Sequence, residues 1–301
     1  MSRISVAPLV EETPALGDYI ELLKPRVMSL VVFTGFVGLY LAPGHLHPAL
    51  ALVAILCIAV AAGAAGAINM WYERDIDALM ERTRERPLPA GRMPPGDALG
   101  FGVVLAAASV LVMGLALNWA AAALLALTIG FYVFVYTVWL KRRTPQNIVI
   151  GGAAGALPPI VGWAAATGQI GVPALALFGL IFFWTPPHFW ALALFRSGDY
   201  ARAGVPMMPV VAGPAETKKQ MLIYTLLLWP LALAPTCLGV TGWLYGGMAL
   251  LLSALFTLSA VRVLRDPGER AAKHMFGFSI LYLFMLFAVM VVDRVPHWTG
   301  G

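Results

Sequence analysis

Asn69, Glu73 and Asp77 stand four residues apart at the end of a long uncharged run. On a helix, residues four apart share a face, so this spacing predicts one stripe made of a carboxamide and two carboxylates. Such hard oxygens suit a divalent cation. Mg2+ is the usual ion where a protein grips a phosphate, held by one or two carboxylates, waters and the phosphate oxygens. Asp75 falls on another face, and Glu81 would extend the stripe. RTRERPLPAGR (82–92) follows at once. Pro87 and Pro89 end the helix and Gly91 permits a turn, so this segment becomes a loop. Guanidinium forks match phosphate oxygens bidentately. Arg82, Arg84 and Arg86 therefore stand between two roles, phosphate binding and plain anchoring, while Arg92 reads as an anchor. A solvated helix end with acids paired to arginines is the bland alternative. The functional reading is preferred because these acids emerge from a membrane span, where ionisable groups are rarely idle.

A second constellation is WTPPHFWALALFRSGDYARAGVPMMP (184–209). Pro186 and Pro187 are expected to break or kink the span, freeing backbone groups that protein or water lining a cavity must satisfy. His188 sits beside Trp184 and Trp190, and a lone intramembrane histidine can either bind a ligand or hydrogen-bond within the bundle. Arg196, Asp199 and Tyr200 close the segment. Lys24-Pro25-Arg26 and Lys141-Arg142-Arg143 each precede an apolar run and are either anchors or phosphate ligands. His45 and His47 lie on the opposite face, where nothing catalytic is expected, and His274 reads as a boundary residue. The remaining Met and Trp residues read mostly as lipid-facing or core fillers.

These groups need a scaffold, and composition says which. The 301 residues are 60% hydrophobic and only 12% charged, against about a quarter charged in soluble domains. Mean hydropathy is +0.82. Several apolar runs approach the ~20 residues that cross a bilayer, so the expected fold is an all-α polytopic membrane protein. Cys57 and Cys237 each lie in an apolar run, which leaves disulfide frameworks, thiolate zinc sites and iron–sulfur clusters unsupported. The opening MSRISVAPLVEETPALGDYIELLKPR lacks the pattern of a signal peptide. A net charge of +5 is read as a matter of membrane orientation, and no nucleic-acid partner is expected.

Nine spans are predicted, at 26–44, 49–70, 97–117, 119–140, 147–166, 171–195, 220–242, 245–264 and 275–292. Every Lys and Arg except Arg294 then falls on one face, including Arg3 near the start. The positive-inside rule makes that face cytoplasmic, with the N-terminus inside and the C-terminus outside. A cytoplasmic segment 1–25 would thus precede one nine-helix domain, 26–293, and a short tail, 294–301. The long loops, 71–96 and 196–219, are both cytoplasmic, which places the chemistry there.

A nine-span bundle with a polar N-x-x-x-[D/E]-x-x-x-D stripe after span 2 resembles the intramembrane prenyltransferase superfamily. Within it, the chain is most similar to the heme O synthase branch. The matching stretches are LLKPRVMSLVVFTGFVGL (22–39), NMWYERDIDALMERTRERPLPAGR (69–92), YTVWLKRRTPQNIVIGGAAGALPPIVGW (136–163) and WTPPHFWALALFRSGDYARAGVPMMPV (184–210). The superfamily carries a second acidic motif after span 6. Here Asp199 stands there alone, a departure shared by the heme branch, which leaves open whether one or two Mg2+ bind. The resemblance implies transfer of a farnesyl group from farnesyl diphosphate to heme b, with water added, giving heme o. It also implies Mg2+ on Asn69, Glu73 and Asp77 with Asp199 in the catalytic set. Diphosphate would lie against Arg84, Arg86, Lys141, Arg196 and Lys24, and heme against His188, Trp184, Trp190 and Tyr200. Expected partners are the two substrates, the lipid bilayer, and a heme-modifying enzyme or oxidase-assembly factor. The absence of a transit peptide points to a bacterial plasma (inner) membrane. The alternative within the superfamily is a prenyltransferase for another aromatic or quinoid acceptor. A non-catalytic transporter or heme scaffold is disfavoured because the charged stripe occurs in full only once.

Overall fold

Inside a bilayer each backbone N–H and C=O must find its partner within its own segment, and the apolar runs answer with helices. A computed structural model describes residues 14–294. The segment carrying Arg3 and the tail after Arg294 lie outside the described residues. In chain order come α1 (Leu16–Leu22), α2 (Pro25–Leu41), α3 (Pro48–Tyr72), α4 (Arg74–Leu79), α5 (Pro95–Ala116) and α6 (Trp119–Gly130). A π-helix, Phe131–Leu140, continues α6 directly. Then follow α7 (Asn147–Ala156), α8 (Pro158–Thr167), α9 (Val172–Phe195), α10 (Ser197–Arg202), α11 (Met208–Val211), α12 (Gly213–Cys237), α13 (Trp243–Arg265) and α14 (Arg270–Val292). Among the described residues eight helical stretches are long and apolar enough to cross a bilayer. α1 and α2 together, bent by 51° at the break between them, are a ninth candidate if the pair counts as one span. The architecture is all-α, as the sequence predicts.

The differences from expectation are local. The seventh and ninth spans begin earlier than apolarity suggests, at Gly213 and Arg270, because a helix continues into water along residues such as Lys218 and Lys219. The fifth span is interrupted at Leu157, between α7 and α8, where Pro158 and Pro159 follow. The sixth is not interrupted: α9 runs through Pro186 and Pro187, and Thr185 Oγ1 donates to the Ile181 carbonyl beside them.

The main core joins α2, α8, α9, α12, α13 and α14, and a second joins α3, α5, α6 and α8. α2 and α8 meet backbone to backbone. A Cβ on Gly38 would lie 2.2 Å from the Pro159 carbonyl oxygen, and one on Gly162 would lie 2.1 Å from that of Gly35. Small residues let membrane helices approach this closely, where dispersion and not the hydrophobic effect holds them. Gly38→Ala is therefore expected to lower stability by ~1–3 kcal/mol, read as a drop in thermal unfolding temperature in detergent. Gly17→Ala, with open space around it, should leave that temperature unchanged.

Candidate active site

The stripe forms across a joint. α3 ends at Tyr72, and Glu73 (φ −94°, ψ 8°) links it to α4. Helical pitch survives the joint, since Glu73 N donates to Asn69 O at 2.9 Å and Asp77 N to Glu73 O at 2.8 Å. Asn69, Glu73 and Asp77 are thus buried together, at 3, 1 and 1% exposure. The helix stops at Leu79, and Met80 turns extended. Glu81 accordingly leaves the stripe and lies exposed, 3.8 Å from Arg202. Asp75 faces outward and takes a bidentate hydrogen bond from Arg142, at 2.7 and 2.8 Å.

Each member of the stripe meets a cation from a different part of the chain. Lys24 adopts the left-handed conformation (φ 51°, ψ 52°) at the bend between α1 and α2, unusual for a side-chain-bearing residue. The bend lays its stem over Gly66 and brings Nζ to Asn69 Oδ1 at 2.9 Å. Lys141 Nζ donates to Glu73 Oε2. Arg86 Nη1 reaches Asp77 Oδ2 at 2.7 Å, and Thr83 Oγ1 donates to the Asp77 carbonyl at 2.7 Å, folding the loop back over the stripe. The π-helix sets the fourth wall. Thr137 Oγ1 donates to the carbonyl of Tyr132, and the Lys141 N–H donates to that of Tyr136, each five residues back at 2.9 Å. That register turns Thr137 toward α3, where its hydroxyl accepts from Asn69 Nδ2 at 3.0 Å. The Asn69 amide is thereby fixed, with its nitrogen on Thr137 and its oxygen on Lys24.

Burial pushes the Lys24 ammonium down to about 7, helped by the Arg86 guanidinium and resisted by the Glu73 carboxylate. Burial also works against Lys141, but there Glu73 prevails and the ammonium ends above the usual lysine range. One oxygen stays unmatched: Glu73 Oε1 is buried with no hydrogen-bond partner. An orphaned carboxylate oxygen next to a carboxamide and a second carboxylate fits a hard divalent cation. Among the described residues no three His, Cys, Asp or Glu side chains gather as a metal site of their own, so a cation here would need further oxygens from water or substrate.

Other predicted residues scatter more widely. Arg82 and Arg84 are exposed. Arg92 does more than anchor: it pairs with Asp18 at 2.8 Å and Glu21 at 3.0 Å, tying the loop to α1. Arg196 is half exposed, 3.9 Å from Asp199. Asp199 is buried and accepts from Arg202. Tyr200 packs with Ile76 of α4, Met80 just beyond it, Ile148 of α7 and Tyr136 of the π-helix, which joins the loop after α4 to the segment after α9. The other aromatic candidates face different walls. Trp184 and His188 turn to α14, where Trp184 Nε1 donates to the Ser279 carbonyl at 2.8 Å and His188 Nδ1 lies 2.6 Å from Ser279 Oγ. Trp190 is buried edge-on to Tyr224 of α12, its Nε1 without a partner. Thr83, Tyr136, Thr137, Phe276 and Ser279 were not expected. Except for Thr83, which reaches Asp77 six residues back, no short-range pattern marks them, because each matters through a residue far away in sequence.

A buried oxygen stripe ringed by cations, at one end of an all-helical bundle, defines a membrane-embedded enzyme that handles an anionic group. A family model for the UbiA prenyltransferase family matches residues 31–288. A protoheme IX farnesyltransferase from Azorhizobium caulinodans is 61% identical over 97% of this chain and 96% of its own. Protoheme IX farnesyltransferase 2 from Nitrobacter winogradskyi is 58% identical over 97% and 95%. Among solved structures, a digeranylgeranylglyceryl phosphate synthase superposes with a TM-score of 0.77 at 18% identity, over 92% of this chain and 98% of its own. A UbiA homolog from Archaeoglobus fulgidus, bound to GPP and Mg2+, gives 0.63 at 18% identity, over 91% and 99%. The chain belongs to the UbiA prenyltransferase family.

Two outcomes follow from the geometry. Thr137→Val strands the Asn69 amide donor in the interior and should cost ~1–3 kcal/mol of stability, whereas Thr137→Ser should stay near wild type in the same thermal assay. Lys24, whose proton leaves near 7 in the folded chain but near the ordinary 10.5 in the unfolded one, makes the unfolded state hold more protons in between. Its contribution therefore rises with pH through that window and is flat below it. Thermal denaturation across the window should show a shallower slope in Lys24→Met than in wild type.

Proposed function

We propose that this protein transfers the farnesyl group of farnesyl diphosphate to a vinyl group of heme b, with addition of water, giving heme o and diphosphate. The observation that carries the diphosphate half is the buried Asn69–Glu73–Asp77 stripe with Lys24, Arg86 and Lys141 against it. The acceptor is read from the relatives, which are named protoheme IX farnesyltransferases. Asn69, Glu73 and Asp77 would hold Mg2+, which when bound supplies positive charge to the departing diphosphate.

The protein's own groups do the rest. Lys141, Arg86 and Lys24 take up phosphate oxygens, and because they are already aligned at the stripe they need little reorganisation as charge builds. Arg196 and Arg84, more exposed, serve as outer contacts for the same group, and Asp199 steadies the second loop. The bond between farnesyl C1 and the diphosphate oxygen breaks with its electron pair leaving on the diphosphate. The vinyl π electrons form the new carbon–carbon bond, and water adds to the resulting cation and releases a proton. The apolar bundle shields the farnesyl cation from early capture by water. Of the expected heme contacts, Trp184 and His188, which face α14 together, supply the heme wall; Trp190 against α12 and Tyr200 in the loop cluster stand apart from it. The loop charges and bacterial relatives support a bacterial inner-membrane location with the site facing the cytoplasm. A heme-modifying enzyme or oxidase-assembly factor would receive the product.

The test is to incubate membranes containing the protein with heme b, farnesyl diphosphate and Mg2+. Extracted heme should gain the mass of a farnesyl group plus a hydroxyl. Farnesylation of an added aromatic or quinoid acceptor, with heme untouched, would instead establish the alternative substrate. Asp77→Asn should lower kcat/KM at least ~100-fold with little rescue by added Mg2+; unchanged kinetics would remove Asp77 from the site.

A further inference from the structure

His188 is clamped on every side that could let it turn. Its ring stacks on Trp184 at 4.3 Å and 17° and on Phe276 at 4.8 Å and 22°, with Phe189 edge-on at 5.1 Å. With its faces covered, the imidazole can interact only through its edge nitrogens. Nδ1 lies 2.6 Å from the hydroxyl of Ser279, which is itself fully buried. That hydroxyl also lies 2.6 Å from the Phe276 carbonyl. A serine has one proton and a carbonyl can only accept, so the Ser279 proton goes to Phe276. The contact with Nδ1 must then be a donation from the ring, which sets the tautomer: Nδ1 carries the hydrogen and Nε2 a lone pair. Nε2 has no hydrogen-bond partner among the described residues and is not one of the fully buried unpartnered atoms, so its lone pair is left for a ligand that reaches that edge of the ring.

We propose that Ser279 is a positioning residue that locks His188 in the Nδ1–H tautomer, so that His188 meets heme through Nε2 at the iron and not at a propionate. This rests on the reading of heme as acceptor. A lone pair is a Lewis base: it is attracted to iron and repelled by a carboxylate. Histidines that ligate metals commonly donate their other ring hydrogen in this way, and losing that second contact weakens binding 10–100-fold. Trp184, docked on the backbone carbonyl of the same Ser279, holds the ring without depending on the hydroxyl.

Two measurements test it on the full-length protein in detergent. With 15N-labelled histidine and no heme, the His188 resonances, assigned by their loss in His188→Ala, should show a protonated Nδ1 and a bare Nε2. Ser279→Ala should shift that equilibrium toward Nε2–H, and Ser279→Thr, which keeps a hydroxyl, should resemble wild type. A protonated Nε2 in wild type overturns the proposal. In the second measurement ferric heme b is titrated in and its visible and EPR spectra recorded. Wild type should show a histidine-ligated signature that His188→Ala abolishes, and Ser279→Ala should bind heme ~10-fold more weakly. Wild-type affinity in Ser279→Ala overturns the positioning role while leaving heme binding intact. An unaltered signature in His188→Ala overturns iron ligation, and no heme binding by wild type overturns the acceptor reading itself. Should Ser279→Ala fail to fold, Ser279→Cys keeps the volume with a weak acceptor and must show the same direction of change.

Discussion

A carboxylate inside a low-dielectric bundle is tolerated only when a cation stands within hydrogen-bonding reach, and much of this structure is arranged to meet that condition. Glu73 is matched by a lysine 68 residues away and Asp77 by an arginine 9 residues on. Asn69, though neutral, draws in a lysine 45 residues earlier. Each match brings a separate segment to the C-terminal end of α3: the bend before α2, the loop after α4 and the end of the π-helix. The loop is held in turn by Thr83 below and by Arg92 to α1 beside it. The arrangement is costly to bury and correspondingly specific, because removing Lys141 or Arg86 leaves a buried carboxylate unmatched.

The polar end and the aromatic wall between α9 and α14 are built on different principles. At the polar end, charges fix positions to within a hydrogen bond. Along α9 and α14 the fixing is done by ring stacking and one hydroxyl, and the aromatic candidates divide between two neighbours, α14 and α12. Between these regions Tyr200 packs against Tyr136, Ile76 and Met80, so one small apolar cluster couples the loop that carries Asp199 to the helix that carries Asp77. A prenyl donor is charged at one end and greasy along its length, and an enzyme for it needs both kinds of wall side by side.

The spans were legible because apolarity is a bulk property of a run, and the stripe was legible because its spacing is local. Arg86 and Lys141 were found as cations near acids, yet nothing in the order of residues ranked Arg86 above Arg84; only the fold of the loop does that. Thr137 was invisible: a threonine within FYVFVYTVWL carries no signal, and the π register that aims it depends on tertiary contacts. Ser279 and Phe276 were missed for a related reason, since their meaning comes from His188, 91 residues away in the case of Ser279. The start of α12 was misplaced because hydropathy marks where lipid ends, whereas the helix ends later, where its hydrogen bonds stop. Pro186 and Pro187 suggested a break or a kink; α9 runs through them without a break, and the interruption falls at Leu157.

The π-helix carries one more implication, for how this span can change over time. Its hydrogen bonds reach back five residues and not four, so it is in effect an insertion absorbed without a loop. Loss of a single residue between Phe131 and Leu140 would let the segment relax to α geometry. The side chains beyond it would then rotate about the axis, carrying Lys141 away from Glu73. Point substitutions elsewhere in the span leave that phase intact. Length within this segment is thus under a stricter constraint than composition, which makes it a place where apolar residues can drift freely while deletions cannot.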